Sequence, residues 1–214
     1  SCTNPQVGSI TITVLPLPTV VISSNTDVCP NGSATINFKG TPNATVTYSE
    51  NGGSNKTIIL NASGEANITK NYSATTVYAL VSIASAGTPS CVQPINGTVT
   101  ITVIPLPIVT IISDSIICPN SEATVTFTGT PNAIVTYKMN NGADQTITLN
   151  TSGTAKITQN YTTTTVYTLV SATIPPLNCS QPQTGKVTIT VLPLPTATIA
   201  SDATICFNQT ATVT

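Results

Sequence analysis

Histidine, tryptophan and arginine are absent from this 214-residue sequence, and charged residues make up only 6% of it. Without histidine, the chain lacks the usual general base near pH 7 and the commonest metal ligand. A net charge of −1, with lysine as the only cation, cannot neutralise many phosphates. The few acidic residues form no pair that recurs at equivalent positions. We therefore expect no catalytic residue, no enzyme activity, no cofactor, no metal site and no nucleic-acid partner.

Helix-forming patterns are missing as well. Aromatic residues make up 4% of the chain, whereas threonine alone contributes 43 residues. Abundant threonine and valine favour strands over helices, and no stretch shows the 3.6-residue period of an amphipathic helix. No apolar run is long enough to cross a membrane as a helix. The sequence therefore predicts an all-β protein with no membrane span in these residues.

An internal repeat of 88 to 89 residues dominates the sequence. The tetrapeptide Leu-Pro-Leu-Pro at 15–18 recurs as Ile-Pro-Leu-Pro at 104–107 and as Leu-Pro-Leu-Pro at 192–195. Gly-Thr-Pro-Asn recurs at 40–43 and 129–132. Such self-similarity predicts a tandem array of small domains, of which these residues form one section. The predicted pieces are the end of a preceding repeat (1–18), two complete repeats (19–107 and 108–195) and the start of a following repeat (196–214).

Within one repeat, apolar residues alternate with polar ones. Ala34, Ile36 and Phe38 share one face of a predicted strand, and five or more similar runs follow, separated by turns and by a long loop at 84–97. Strands with this period are half-buried, and about seven of them at 8–12-residue spacing are typical of a β-sandwich. An immunoglobulin-like domain has about 100 residues. The sequence therefore predicts tandem immunoglobulin-like β-sandwich repeats in an extended array.

The proline-containing linkers predict stiff joints. Each linker has prolines at alternate positions, which fix their own φ angles and restrict the residues before them. No glycine or serine run supplies the slack of a flexible tether. We therefore expect rigid, extended linkers built on three proline pairs: Pro16 and Pro18, Pro105 and Pro107, and Pro193 and Pro195.

Six cysteines recur with the repeat, and none has the spacing of a zinc or redox motif. Regular cysteines in a threonine-rich β array predict structural disulfides and an extracellular location. Two pairings fit: Cys29–Cys91 and Cys118–Cys179 within units, or Cys29–Cys179 between consecutive units. The first is simplest, but it must join opposite ends of a unit. Under the within-unit pairing, Cys2 and Cys206 have partners outside these residues.

One modification motif stands out. Asp114-Ser115-Ile116 is similar to the Asp-Ser/Thr-apolar motif of Bacteroidota O-glycosylation, which makes Ser115 a candidate site. Eleven Asn-X-Ser/Thr sequons also occur, a number expected by chance in a chain so rich in asparagine and threonine.

The order of the motifs resembles one family. Thr98-Val-Thr-Ile-Thr-Val-Ile-Pro-Leu-Pro107, Ile117-Cys-Pro-Asn120, Thr165-Val-Tyr-Thr-Leu-Val170 and Cys179-Ser-Gln-Pro182 are similar to the tandem immunoglobulin-like repeats of very large Bacteroidota cell-surface proteins, the SprB-like gliding-motility adhesins. The resemblance implies export by the type IX secretion system, an outer-membrane-associated surface location, and contacts with the secretion and motility machinery. In that family the repeats usually form a stalk.

We therefore expect structural stalk repeats that project an adhesive end for surface attachment or gliding. Neighbouring repeats of the same chain are the first predicted partners. Strands with few charges at sheet edges also allow lateral self-association into fibres. The alternative is that the units themselves bind glycan or surfaces.

Overall fold

The computed structural model describes residues 8–24, 27–200 and 204–210, and all regular structure in these ranges is strand. The chain divides into two compact units, Ser1–Leu106 and Pro107–Thr214. No helix in the described ranges has the length and apolar character needed to cross a membrane. The prediction of an all-β chain is confirmed.

The described part of the first unit contains eight strands, which the alternation of core and surface residues predicts in outline. They are β1 (Val20–Ser24), β2 (Gly32–Gly40), β3 (Thr45–Glu50), β4 (Lys56–Ile59), β5 (Glu65–Tyr72), β6 (Thr76–Ala84), β7 (Val92–Pro94) and β8 (Thr98–Ile101). One sheet has the order β1-β2-β5, and the other β4-β3-β6-β7, with β8 also paired to β6.

The second unit repeats this arrangement. Its strands are β9 (Val109–Ser113), β10 (Ile116–Ile117), β11 (Ser121–Gly129), β12 (Ile134–Met139), β13 (Asp144–Thr148), β14 (Thr154–Tyr161), β15 (Thr165–Ile174), β16 (Cys179–Pro182) and β17 (Lys186–Val191). The sheets are β14-β11-β9 and β10-β17-β15-β12-β13, with β16 on β15. Each unit is thus a sandwich of two mainly antiparallel sheets, as predicted.

The last strand of each unit is divided in two, which corrects one expectation. The stretch 84–97 was expected to be a loop, but β7 within it pairs antiparallel with the end of β6. Ile95 then donates its backbone N–H to the Val81 carbonyl, and the Gly97 carbonyl accepts from Leu80. The ladder therefore continues past Pro94, although proline cannot donate a ladder hydrogen bond itself.

The first strand of each unit also changes sheets. After β1 pairs with β2, Val28 forms a parallel bridge with Val103, beyond the end of β8. In the second unit β10 pairs in parallel with β17 at the equivalent place. This crossing places Val28, which precedes β2, and β10, which precedes β11, beside the end at which the chain leaves each unit.

Aromatic rings form the centre of each core. The ring centroids of Phe38 and Tyr48 lie 5.4 Å apart, and those of Tyr48 and Tyr78 lie 6.0 Å apart. Phe127, Tyr137 and Tyr167 repeat the row at 5.2 and 5.9 Å. Full burial of a side chain such as Phe38 contributes about 1.5–3 kcal/mol. Few aromatics therefore suffice because they are gathered in one row per unit.

A pair of buried tyrosines closes one end of that row. The hydroxyls of Tyr72 and Tyr78 lie 3.0 Å apart, and those of Tyr161 and Tyr167 lie 2.9 Å apart. Burial raises the pKa of both Tyr72 and Tyr78, so the pair stays neutral at physiological pH. In the tyrosine corner of immunoglobulin-like domains, the tyrosine hydroxyl bonds to the backbone. The hydroxyls of Tyr72 and Tyr161 pair with another tyrosine instead.

The side chains that contact the buried tyrosine pair differ between the two units. In the first unit the Glu50 carboxylate accepts from Lys56 at 2.7 Å and from Lys70, whose ammonium lies over the Tyr72 and Tyr78 rings. Hydrogen bonds from the two lysines hold the pKa of Glu50 below its usual range. In the second unit Met139, Gln145 and Gln159 occupy the equivalent positions. Tyr137 donates to Gln145 at 3.0 Å, and Gln159 donates to Tyr167 at 3.4 Å.

This difference predicts that Glu50 makes a pH-dependent contribution to the stability of the first unit. Because the folded-state pKa of Glu50 is lowered, its contribution is present above the unfolded-state pKa, about 4.3, and is lost as the pH falls through the folded-state value. We expect Glu50→Gln to destabilise the first unit by about 0.5–1 kcal/mol at pH 7, because both lysines are more than one third exposed and solvent screens them. The difference should disappear at strongly acidic pH.

Hydrogen exchange of buried amides in urea measures the stability of each unit in the intact chain. Val46 reports the first unit, and Val135, in the equivalent core position of the second unit, is the internal control. An equal effect of Glu50→Gln on Val135, or an effect that persists in acid, would contradict the assignment.

Candidate functional site

The best-defined candidate site is the point where a linker enters the following unit. Thr19, the first residue after the linker, donates its N–H to the Thr41 hydroxyl at 2.9 Å, and its carbonyl accepts from the Thr41 N–H at 2.8 Å. Ile108 makes the same two bonds to Thr130, at 3.1 and 2.9 Å. The recurring Gly-Thr-Pro-Asn turn therefore holds the backbone that leaves each linker.

The glycine of that turn explains why the backbone can approach so closely. A Cβ placed on Gly40 would lie 2.0 Å from the Thr19 carbonyl oxygen, and one on Gly129 would lie 2.1 Å from the carbonyl oxygen of Ile108. Real Cβ atoms do not occupy such positions, so any side chain here would displace the linker exit. Glycine is required at positions 40 and 129 because a side chain would clash with the linker exit, and not because of an unusual φ angle.

A glutamine side chain completes the anchor. Gln93 of β7 donates its amide to the Pro18 carbonyl at 2.5 Å, and Gln181 of β16 donates to the Pro107 carbonyl at 2.6 Å. In the second unit Gln183 adds another donor to Pro107, at 2.8 Å, and accepts from the Val109 N–H at 3.0 Å. Ile95 occupies the position of Gln183 in the first unit. The first anchor thus has one glutamine and the second has two.

The structure places the predicted linker prolines in two environments. The second proline of each of the first two linkers, Pro18 and Pro107, is buried, whereas Pro16 and Pro105 are exposed. Pro193 and Pro195 of the third linker are both exposed. Only the second proline is therefore part of an anchor, and the stiffness of the joints stays a prediction.

The structure separates the predicted disulfide cysteines into two groups. Cys29 and Cys179 are disulfide-bonded, whereas Cys91, Cys118 and Cys206 are free thiols. The pairs Cys29–Cys91 and Cys118–Cys179, expected within single units, are therefore not formed. Cys2 lies outside the described residues.

Geometry within the first unit explains why the simplest pairing fails. Cys29 follows Val28, which pairs with Val103 at the exit end, while Cys91 precedes Val92, which pairs with Ala84 at the other end of β6. Eight residue steps of a strand span about 26 Å. Bridged Cα atoms lie within about 7 Å of each other.

The candidate modification site is accessible. Ser115 is exposed between β9 and β10, and its carbonyl accepts from the Thr190 N–H at 2.9 Å. The neighbouring Asp114 carboxylate accepts from the Thr124 N–H at 2.7 Å, so this aspartate has a structural role. Glycosylation of Ser115 stays a prediction. Among the described residues, no group of three or more His, Cys, Asp or Glu side chains could hold a metal ion.

Sequence reasoning identified the linker and the recurring turn but not their contact. The two are 22 residues apart in each unit, and the glutamines lie about 75 residues from the prolines. Contacts at such separations leave no trace in hydrophobic periodicity. The available signal was the recurrence of three motifs at spacings that agree to within one residue: the proline pair, Gly-Thr-Pro-Asn and the glutamine two residues after the second cysteine.

Each unit has the immunoglobulin-like fold. Among solved structures, the chain is similar to a marsupial T cell receptor, with 10% identity and a TM-score of 0.52, over 86% of this chain and 77% of that chain. It is also similar to a 1.5-MDa bacterial ice-binding adhesin, with 16% identity and a TM-score of 0.41, over 81% of this chain and 65% of the other. The first likeness shows the fold alone, and the second is too weak to carry an argument. No family model and no curated protein matches the sequence.

The unequal anchors predict unequal effects of the same substitution. Gln93→Ala removes the only bond to Pro18 from a glutamine in the described part of the chain, whereas Gln181→Ala leaves Gln183 on Pro107. One hydrogen bond contributes about 1 kcal/mol, so Gln93→Ala should speed exchange of the Thr19 amide roughly fivefold. Gln181→Ala should change exchange of the Ile108 amide less. Hydrogen exchange followed by NMR measures both amides, and equal increases would mean that the glutamines do not hold the linker.

Proposed function

We propose that these residues are structural stalk repeats of a large, secreted cell-surface adhesin. The observation that carries the proposal is the repeated anchor, in which Thr41 and Gln93, and their counterparts Thr130 and Gln181, fix the backbone leaving a linker. A repeat anchored at its entry limits rotation about the linker, which is what a stiff stalk requires. Stability would then be roughly a sum of unit and joint contributions.

The finer parts of the proposal rest on the family resemblance. They are export by the type IX secretion system, attachment at the outer membrane, and a role in gliding or surface adhesion. The disulfide-bonded state of Cys29 and Cys179 supports an oxidising, extracellular compartment. Lateral association of chains and contact with the motility machinery are proposed on the same basis.

We also propose that cysteines join consecutive repeats, the first cysteine of one unit to the second cysteine of the next. In this scheme Cys29 pairs with Cys179. The partners of Cys91, Cys118 and Cys206 belong to repeats outside these residues, which fits their free thiols. The within-unit scheme instead requires Cys91 and Cys118 to be bonded. The proposed scheme would make each joint resistant to extension.

Electron microscopy tests the stalk. In chains that carry residues 19–195 two and four times, we expect straight particles whose length grows in proportion to the number of repeats. Replacing both linkers of every copy, Ile104-Pro-Leu-Pro107 and Leu192-Pro-Leu-Pro195, with Gly-Ser-Gly-Ser is the matched control and should broaden the distribution of bend angles. Compact particles, or equal bending in both forms, would reject the stalk. Side-by-side bundles would support lateral association.

Peptide mapping without reduction tests the cysteine scheme. We expect one cross-linked peptide that contains Cys29 and Cys179, and Cys29→Ser should leave Cys179 as a free thiol. Cys91→Ser is the control and should not change the map. A peptide joining Cys29 to Cys91 or to Cys2 would refute the scheme.

A further inference from the structure

A polar groove lies on the outer face of the β1-β2-β5 sheet of the first unit. Its volume is about 490 Å³, and its lining includes Ser23, Asn37, Lys39, Asn61, Glu65 and Asn67. This volume is within the range of small-molecule sites, about 300–1,000 Å³. Most such sites are lined by apolar side chains, so the polar lining restricts the chemistry of an occupant.

Cross-strand pairing arranges these side chains in two rows. Asn37 on β2 pairs with Ser23 on β1 and with Asn67 on β5, which aligns one hydroxyl and two amides across three strands. The row spans about 10 Å, twice the spacing between strands. The neighbouring row contains Lys39 and Glu65, which are also cross-strand partners.

The groups in the first row are available to a ligand. All three side chains are exposed, and in the described part of the chain none of them makes an intramolecular hydrogen bond. The side-chain Oδ1 of Asn61 accepts from the N–H groups of Ser63 and Glu65, so the side-chain NH₂ group of Asn61 is left to donate. Amides and hydroxyls together offer both donors and acceptors.

The charges of the groove cancel. The Lys39 ammonium and the Glu65 carboxylate lie 3.1 Å apart and form an ion pair with each other. An anionic or cationic ligand would therefore meet no unbalanced charge. The occupant that matches this lining is small, uncharged and rich in hydroxyls.

The second unit does not repeat the groove's chemistry. Ile112, Thr126, Thr128, Thr154 and Lys156 replace Ser23, Asn37, Lys39, Glu65 and Asn67, and only Asn150 is kept, in place of Asn61. Both amides of the first row and the ion pair are thus missing, although the buried Phe38 and the partly buried Ala66 on the same strands are conserved as Phe127 and Ala155. The chemistry of this lining is therefore a property of the first unit and not of the fold.

We propose that this groove is a binding site for a neutral oligosaccharide. The amides of Asn37 and Asn67 bind sugar hydroxyls, with Ser23 and Asn61 as additional partners. This site adds a binding role to the proposed structural role and does not depend on it. With exposed hydrogen bonds as the main contribution, the dissociation constant should be on the order of 1 mM.

NMR titration of the ¹⁵N-labelled 214-residue chain tests the site with cellotetraose, maltotetraose and tetra-N-acetylchitotetraose, each up to about 10 mM, ten times the expected dissociation constant. We expect saturable shifts of the Asn37, Asn61 and Asn67 side-chain amides with at least one of these sugars. The double variant Asn37→Thr/Asn67→Thr should weaken binding at least tenfold. Threonine favours strands, so this variant keeps the fold.

Asn71→Thr/Asn160→Thr is the matched control, because both residues are exposed on β5 and β14 and lie outside the groove. It should bind as the unaltered chain does. No saturable shift with any of the three sugars would overturn the proposal, as would undiminished binding by Asn37→Thr/Asn67→Thr. Trigalacturonate is titrated in the same way as an anionic comparison, and binding of this sugar alone would overturn the neutral class of ligand. None of these outcomes bears on the stalk, which the microscopy tests separately.

Discussion

The backbone hydrogen bonds at the linker exit are the constraint on which the rest of this structure depends. A backbone that leaves a proline-rich linker has lost donors to proline and must pair its other polar groups at once. The Gly-Thr-Pro-Asn turn supplies a donor and an acceptor at the first residue, and glutamine supplies a donor one residue earlier. Because Pro18 and Pro107 are buried there, the anchor also fixes where each first strand begins.

The same fold tolerates two chemical solutions around its buried tyrosines. In the first unit Glu50 is surrounded by two lysines, and in the second the equivalent space contains two glutamines and a methionine. Both arrangements satisfy the polar groups at the edge of an aromatic row, which is the physical requirement. The row itself does not change, since Phe38, Tyr48 and Tyr78 have the same residue types as Phe127, Tyr137 and Tyr167. Conserved packing therefore coexists with a different response to pH.

The sequence predicted the sandwich because the alternation of Ala34, Ile36 and Phe38 is visible without any tertiary contact. It did not predict β7, whose three residues end in proline. It left two cysteine pairings open, because the choice depends on which end of a unit each cysteine occupies. The role of asparagine as a turn residue was also not predicted. Asn31, Asn43, Asn120 and Asn132 have positive φ angles, so they serve as turn residues in place of glycine, and Asn61 caps a turn through its side chain. The abundance of sequons follows partly from this backbone role.

Repeats in an array need not be functionally identical, and the outer face of the β1-β2-β5 sheet shows why. Inward positions such as Ile36 and Phe38 are constrained by close packing, since adding or removing one methylene in a core changes the stability of the fold. Outward positions on the same strand contact solvent, so Asn37 and Lys39 can differ from Thr126 and Thr128 at little cost to stability. Period-two alternation thus separates two kinds of information along one strand: the inward residues specify the fold, and the outward residues are free to specify what an individual unit binds.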